Sequence, residues 1–415
     1  MRLLDANGLP RVVVTGTGSV SCLGAGNDAL LDGLRHGRSG LRTMDGFAAL
    51  ELQARVAGPV DLSGRPEPPR RQRRFLATPG LYAWHAMNEA LAQAGLAPER
   101  LQRADCGLLL GGGAALSEHE AALDSHRARG VGKLSPFIVP RGMSSALSAS
   151  VAHAFGIGGI SLTISSACTS SAHAIGQAME LIQLGRQQVV ITGGAEELHD
   201  STAMWFDAMN ALSPQHDPAL ASRPYDRDRD GFALAAGAGV LVLESLEHAA
   251  ARGATVLAEL AGYGSATDAT SMVGPGADGI ARALHQAIVR AGTLPAYLNT
   301  HACSTPQGDL AEWQAIRTVF AERGAPVPPL SSIKGLIGHA PAAAGALDAV
   351  ASLLMMQHGF LAPGRVPDQL DPAFADAPLL DACREQTVDS VLSGNFGFGG
   401  SCTALLFRRC TEASA

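Results

Sequence analysis

The 415-residue sequence has no long apolar run, no C-x-x-C pair, and few charged (17%) or aromatic (5%) residues. Each scarcity excludes something. Without about twenty consecutive apolar residues there is no candidate membrane span, and Met1-Arg2-Leu3-Leu4-Asp5 lacks the apolar core of a signal peptide. No membrane association is expected. The seven cysteines (Cys22, Cys106, Cys168, Cys303, Cys383, Cys402 and Cys410) are odd in number and widely scattered, with no zinc spacing. That pattern fits a reduced, cytoplasmic setting with no metal. A net charge of −7, without a basic face dominating the chain, argues against nucleic acid as a partner. What is abundant is apolar material, 47%, and glycine, 48 residues. Together they imply tightly packed α/β layers, and the length suggests two or three domain-sized units.

Two glycine-punctuated α/β halves are discernible. The first opens with Val12-Val13-Val14-Thr15-Gly16-Thr17-Gly18, the second with Val256 through Gly264, which implies an internal duplication with halves at 1–255 and 256–415. Strand-like runs follow at Gly107–Leu110, Val189–Thr192 and Val240–Leu243, then at Tyr297–Thr300 and Ser390–Ser393, alternating with helical stretches. Between about 117 and 143 the pattern is broken by Gly130, Gly132, Pro136 and Pro140, as in an insertion or cap over a site. Residues Arg65 to Arg74 form a proline-stiffened, exposed loop carrying five arginines and entering a helix. Gly16-Thr17-Gly18 imitates the start of a dinucleotide-binding turn, but Ser21 occupies the third glycine position, so no nucleotide site is expected.

Cys168 stands where a strand-like run ending at Ile164 hands over to a helical stretch marked by Ala172, Ile175, Met179 and Ile182, with a turn at Gly185. A thiol at a helix N-terminus meets unpaired N–H groups and the positive end of the macrodipole, which favour thiolate. A buried structural cysteine would fit the same position.

Three further ordered segments accompany it. With Ser166-Ala167-Cys168 they are Asn299-Thr300-His301-Ala302-Cys303-Ser304-Thr305-Pro306-Gln307-Gly308-Asp309, Lys334-Gly335-Leu336-Ile337-Gly338-His339 and Asn395-Phe396-Gly397-Phe398-Gly399-Gly400, supported by Asp207-Ala208-Met209, Ser222 to Asp226 and Asp230-Gly231-Phe232. Over nearly its whole length the chain resembles the β-ketoacyl-acyl-carrier-protein synthases of the thiolase superfamily, most closely the synthase I type. The resemblance implies a thiolase-like, duplicated, five-layered αβαβα fold. It further implies a decarboxylative condensation, with Cys168 as nucleophile, His301 and His339 donating N–H groups to a developing oxyanion, and Lys334 orienting the site. The N–H groups of Cys168 and Phe398 would hold the acyl thioester's oxygen, with Phe398 and Phe396 as the gating pair. Glu312 is expected to be the ion-pair partner of Lys334, and Asp309 a supporting residue. Thr305 would bind the phosphopantetheine arm beside Cys303, which replaces a customary threonine with a weaker donor.

No cofactor is implied beyond the phosphopantetheine of the carrier. Acidic acyl-carrier proteins would dock on Arg70, Arg71 and Arg74, with Arg129 and Lys133 nearby, and a homodimer is expected. Pro341 and the Ser401-Cys402 pair also depart from the family pattern, which favours a dedicated polyene or polyketide-like pathway over housekeeping fatty-acid synthesis. Two other classes remain in view. One is a heterodimer in which a chain-length-factor-like subunit, or this chain in a non-catalytic role, sets product length. The other is a thiolase-like degradative enzyme, which would need a second catalytic cysteine in a His-Cys context that Cys402 lacks.

Overall fold

Runs of β-branched and apolar residues become the strands of one mixed sheet in the computed structural model, which describes residues 2–274 and 276–410. The strands are β1 (Val12–Ser21), β2 (Cys106–Gly111), β3 (Ser161–Ile164), β4 (Val189–Glu196), β5 (Gly237–Ser245), β6 (Ala258–Thr267), β7 (Tyr297–Asn299), β8 (Leu330–Ser331), β9 (Ser390–Gly397) and β10 (Ser401–Arg408). Their order across the sheet is β8-β7-β9-β10-β6-β1-β5-β4-β2-β3, and short Gly24–Ala25 adds to β1. Outward from the centre one side reads 1-5-4-2-3 and the other 6-10-9-7-8, the same order shifted by five. Direction repeats too: in each unit the first two pairings are antiparallel and the last two parallel. The duplication inferred from sequence is therefore explicit in the topology.

Among the described residues nine longer helices cover and separate these units: α1 (Asn27–His36), α2 (Thr78–Ala94), α3 (Leu116–Arg129), α4 (Ala146–Phe155), α5 (Ser170–Gln183), α6 (Asp200–Ala208), α7 (Ala277–Ala291), α8 (Pro306–Ala321) and α9 (Ala344–His358). The two units join only where Val12–Val14 meets Ala258–Leu260, which lets them fold over a shared middle layer made of α5 and α9. Every residue of α9 from Ala344 to Met356 is buried, as a helix apolar all round but for Asp348 and Ser352 requires. Outside, α2 and α4 cover the first unit, and α7 with α8 beside it covers the second. The result is the five-layered αβαβα arrangement.

The glycines of the false nucleotide turn have a packing role. A Cβ on Gly16 would stand 2.1 Å from the Ala90 carbonyl oxygen of α2, and one on Gly18 1.9 Å from that of Ala86. Gly262 and Gly264 of β6 repeat the arrangement against Ala287 and Ala283 of α7, at 2.1 and 2.0 Å. Close helix–strand approach explains the motif without a nucleotide.

The segment expected to be irregular contains more structure than its sequence signalled. It forms the 14-residue α3, a short 3₁₀ turn at Val131–Lys133 and a helix at Ile138–Gly142. No residue of α3 is buried, so it carries no apolar stripe from which helical period could be read.

Candidate active site

Cys168 lies in the tight turn between β3 and α5, two residues before the helix begins. Ala167 adopts a left-handed φ of 51°, so the turn presents the cysteine at a strained corner. The Ser170 hydroxyl donates to the Ala167 carbonyl at 2.6 Å and accepts from the Ser166 N–H at 2.8 Å, which braces that corner. Facing it, the backbone of the glycine loop comes close: a Cβ on Gly397 would stand 3.0 Å from the Cys168 nitrogen.

The structure brings the three sequence-predicted polar groups together. His339 Nε2 is 3.1 Å from Cys168 Sγ. The His301 and His339 rings meet edge to face with centroids 5.2 Å apart, and Phe232 holds the other side of His339 at 5.1 Å. Phe396 packs on His301 at 5.8 Å, and Phe398 leans on Phe206 at 5.9 Å. These groups line a cavity of ≈ 390 Å³ together with Cys303, Thr305, Gly308 and Val273. Cys303 Sγ lies 3.8 Å from Thr305 Oγ1, so the two residues expected to meet the arm are neighbours on one wall.

Burial governs the protonation states. It pushes the Cys168 thiol up to about 12; Glu196 adds to the rise, while Lys334 and the N–H groups of Cys168 and Phe398 oppose it. The expectation of a favoured thiolate is thus corrected, because desolvation outweighs the helix end. His339 is held down at about 3 by burial and then by the charge of Lys334. His301 is lowered well below the ordinary imidazole range by burial, with Lys334 and His339 contributing. Both imidazoles are neutral at physiological pH, and Cys168 rests as a thiol against a neutral acceptor.

A second correction concerns Lys334. Its ammonium donates to Asp348 Oδ2 at 2.7 Å, both side chains being almost fully buried, and Glu312 is not its partner. Glu312 Oε1 and Oε2 instead accept the N–H groups of His301 and Ala302, each at 2.8 Å. Burial raises the Glu312 carboxyl to about 8, against the pull of those two N–H groups and then of Lys334. Glu312 therefore shapes the His301 loop, while Asp348, which also accepts from Asn395 Nδ2 at 2.8 Å, anchors the lysine. Asp348 escaped sequence reasoning, although one carboxylate in the apolar run of α9 demands a buried partner. Asp309 is buried near Arg229 and accepts the Tyr225 N–H at 3.3 Å, so it supports the loop around residue 225.

The remaining expected residues fall elsewhere. Arg70, Arg71 and Arg74 are exposed on or beside the short helix Arg70–Arg73, as are Arg129 and Lys133 on the cap. The two segments meet where Arg74 lies over the Phe75 and Phe137 rings, which are 5.2 Å apart. Trp205 points to solvent at 61% exposure, while its neighbour Phe206 lines the cavity. Gly112, Gly113 and Ala114 line a separate cavity of ≈ 150 Å³ with Ala167, Glu196 and Glu197.

Two family models match this chain: the Beta-ketoacyl synthase N-terminal domain over residues 10–249 and its C-terminal domain over 257–365. The chain belongs to the β-ketoacyl synthase family. This synthase is 40% identical over 404 residues to 3-oxoacyl-[acyl-carrier-protein] synthase 1 of Haemophilus influenzae, covering 96% of this chain and 99% of that one. A β-ketoacyl synthase crystal structure from Burkholderia phymatum superposes with a TM-score of 0.90 at 36% identity, covering 97% and 100% of the two chains. The ketosynthase of the AntDE:AntF complex, which holds a type II polyketide acyl-carrier protein, does so with a TM-score of 0.86 at 29% identity over 97% and 100%. This synthase is accordingly an acyltransferase of the ketosynthase kind. Among the described residues no helix is long and apolar enough to cross a membrane, and the seven cysteines are free.

Proposed function

We propose that this synthase loads an acyl group from an acyl-carrier thioester onto Cys168 and condenses it with malonyl carried on the same kind of protein. The observation that carries the reading is the 3.1 Å contact between Cys168 Sγ and a neutral His339 Nε2, with His301 beside it. As Sγ attacks the thioester carbonyl, its proton passes to His339 Nε2, and the tetrahedral oxyanion takes the N–H groups of Cys168 and Phe398. Collapse expels the arm's thiolate, which recovers that proton.

Malonyl thioester then enters, its arm held by Thr305 with Cys303 beside it. Loss of carbon dioxide leaves an enolate whose oxygen accepts N–H bonds from His301 and His339. Among the described residues neither Nδ1 has a partner, so no hydrogen bond there locks the tautomer of either ring. The same Nε2 can accept the thiol proton in loading and donate during decarboxylation. The carbanion attacks the acyl carbonyl, the carbon–carbon bond forms as the bond to Sγ breaks, and a 3-oxoacyl chain two carbons longer leaves on the carrier while the Cys168 thiolate takes a proton from solvent. Lys334, fixed by Asp348, holds positive charge beside both rings, and Phe398 with Phe396 controls access. No free cofactor enters this scheme.

Arg70, Arg71 and Arg74, with Arg129 and Lys133, supply the basic surface for an acidic carrier. A homodimer is supported by β3, the edge strand of the sheet, where Leu162 is 52% exposed and the strand lacks an outer neighbour. A cytoplasmic location suits the free cysteines. A non-catalytic, length-setting role is disfavoured by the intact Cys168, His301 and His339.

Intact-mass analysis after mixing the protein with a panel of acyl-carrier thioesters, beside Cys168→Ala, tests the reading. Adducts on the wild type alone, chased by malonyl carrier to a product two carbons longer, are expected. An unmodified wild type with every donor would overturn it.

A further inference from the structure

Nothing above explains how the Phe398 N–H is kept in register with the nucleophile turn, although the two lie on segments 230 residues apart. The geometry points to a single side-chain latch between them. Thr169 Oγ1, directly after the nucleophile, is 2.8 Å from Ser401 Oγ, directly after the glycine loop. It joins the turn 165–171 to the loop 396–402 with a side chain at each end.

Proton bookkeeping gives the latch a direction. The Thr169 hydroxyl donates its one proton to the Ser166 carbonyl at 2.6 Å. It must therefore accept from Ser401, whose hydroxyl proton is free to be given. The turn end of the latch is itself fixed. Ser166 Oγ is 2.7 Å from His173 Nδ1, and His173 Nε2 is 3.0 Å from Ser265 Oγ on β6. His173 is thus a strut between the turn and the second unit of the sheet. The glycine loop is held from behind through its backbone, the Gly399 N–H donating to the Met272 carbonyl at 2.8 Å and the Gly400 carbonyl accepting from the Asp268 N–H at 2.7 Å, with Gly399 and Gly400 at left-handed φ of 79° and 73°. Ser401 is the first residue beyond those glycines and the first of β10, opposite Gly397 and Thr267, so its side chain ties this backbone frame to the nucleophile turn.

We propose that Ser401 is a positioning residue for the oxyanion site, acting through Thr169 to hold the Phe398 N–H against Cys168. The proposal rests on the ketosynthase reading and assigns Ser401 no contact with substrate. Its signature is selective. Acyl transfer develops an oxyanion and needs the Phe398 N–H, whereas alkylation of the same sulfur by iodoacetamide displaces iodide and develops none.

The experiment compares wild type, Ser401→Ala and Ser401→Thr at one pH. It measures the single-turnover rate of Cys168 acylation by an acyl-carrier thioester and the rate of its alkylation by iodoacetamide. The alanine variant is expected to acylate about tenfold more slowly or worse, with alkylation within about twofold of wild type, and the threonine variant to recover acylation. If the alanine variant acylates at the wild-type rate, or if both rates fall together, the latch is not an oxyanion device and the proposal is overturned. If the wild type alkylates but takes no acyl group from any carrier, the ketosynthase reading itself fails and this proposal goes with it.

Discussion

At the scale of single residues, the site is a set of groups kept neutral by burial around one buried ion pair. Cys168 near 12 and His339 near 3 are too far apart to exchange a proton at rest. The thiolate forms only as the sulfur attacks, so the reactive fraction of Cys168 should rise with pH without saturating near neutrality. Iodoacetamide alkylation is expected to accelerate about tenfold per pH unit from 7 to 9; a plateau below pH 8 would refute the raised thiol. The ion pair makes a different prediction. Asp348→Asn leaves the Lys334 ammonium buried without a counter-charge, which typically costs about 3–5 kcal/mol. Urea unfolding should show that loss, whereas Glu312→Gln, which removes no partner of Lys334, should lose less. Equal losses would contradict the pairing.

At the scale of elements, each sheet unit sets a helix directly on a glycine strand. Gly264→Ala would drive a methyl to 2.0 Å from the Ala283 carbonyl, backbone against backbone, where no side chain can yield. A loss of roughly 1–3 kcal/mol, or more, is expected from such overpacking. Gly113→Ala, with open space around it, should unfold at nearly the wild-type denaturant concentration. This scale also separates what the sequence disclosed from what it hid. Strands such as Val189–Glu196 and the helix after Cys168 were legible because their apolar residues face a core with a fixed period. The Cys168, His301 and His339 segments were legible as motifs because each brings its backbone context with it. The cap helix α3 was not, since a helix without a buried face has no pattern to show. Nor was the partner of Lys334. Glu312 and Asp348 are both acidic residues on nearby helices, and only the fold turns one toward the ammonium and the other toward the His301 loop. The Thr169 and Ser401 pair lies deeper still, because neither hydroxyl is unusual until two distant loops are superposed.

At the scale of the whole molecule, charge and pH act on the fold as one body. The chain carries a net −7, so in the proposed docking the local arginines would attract an acidic carrier against an unfavourable overall field. Replacing Arg70, Arg71 and Arg74 by alanine should raise KM for carrier-borne substrates and flatten its dependence on salt while leaving kcat nearly unchanged. A fall in kcat with KM constant would place these residues outside docking.

The second whole-molecule effect concerns stability. Glu196 sits at the end of β4, half-buried, accepting the Ala342 N–H at 3.0 Å. Burial raises its carboxyl from an ordinary 4.5 to about 7, partly offset by that N–H and reinforced by the charge of Glu197. A raised carboxyl binds its proton more tightly in the folded state than in the unfolded one. Its contribution is therefore fully present below pH 4.5, declines as pH rises through 7, and is gone above. The shift corresponds to about 3.5 kcal/mol before solvent screening of a half-buried group reduces it, since one pKa unit is about 1.4 kcal/mol. Glu196→Gln removes the titration and keeps an oxygen for Ala342, so its stability relative to wild type should climb by a few kcal/mol between pH 5 and pH 8. Urea unfolding of both proteins at those two pH values decides it: a difference that does not change with pH would mean that Glu196 ionises in the folded protein as it does in the open chain.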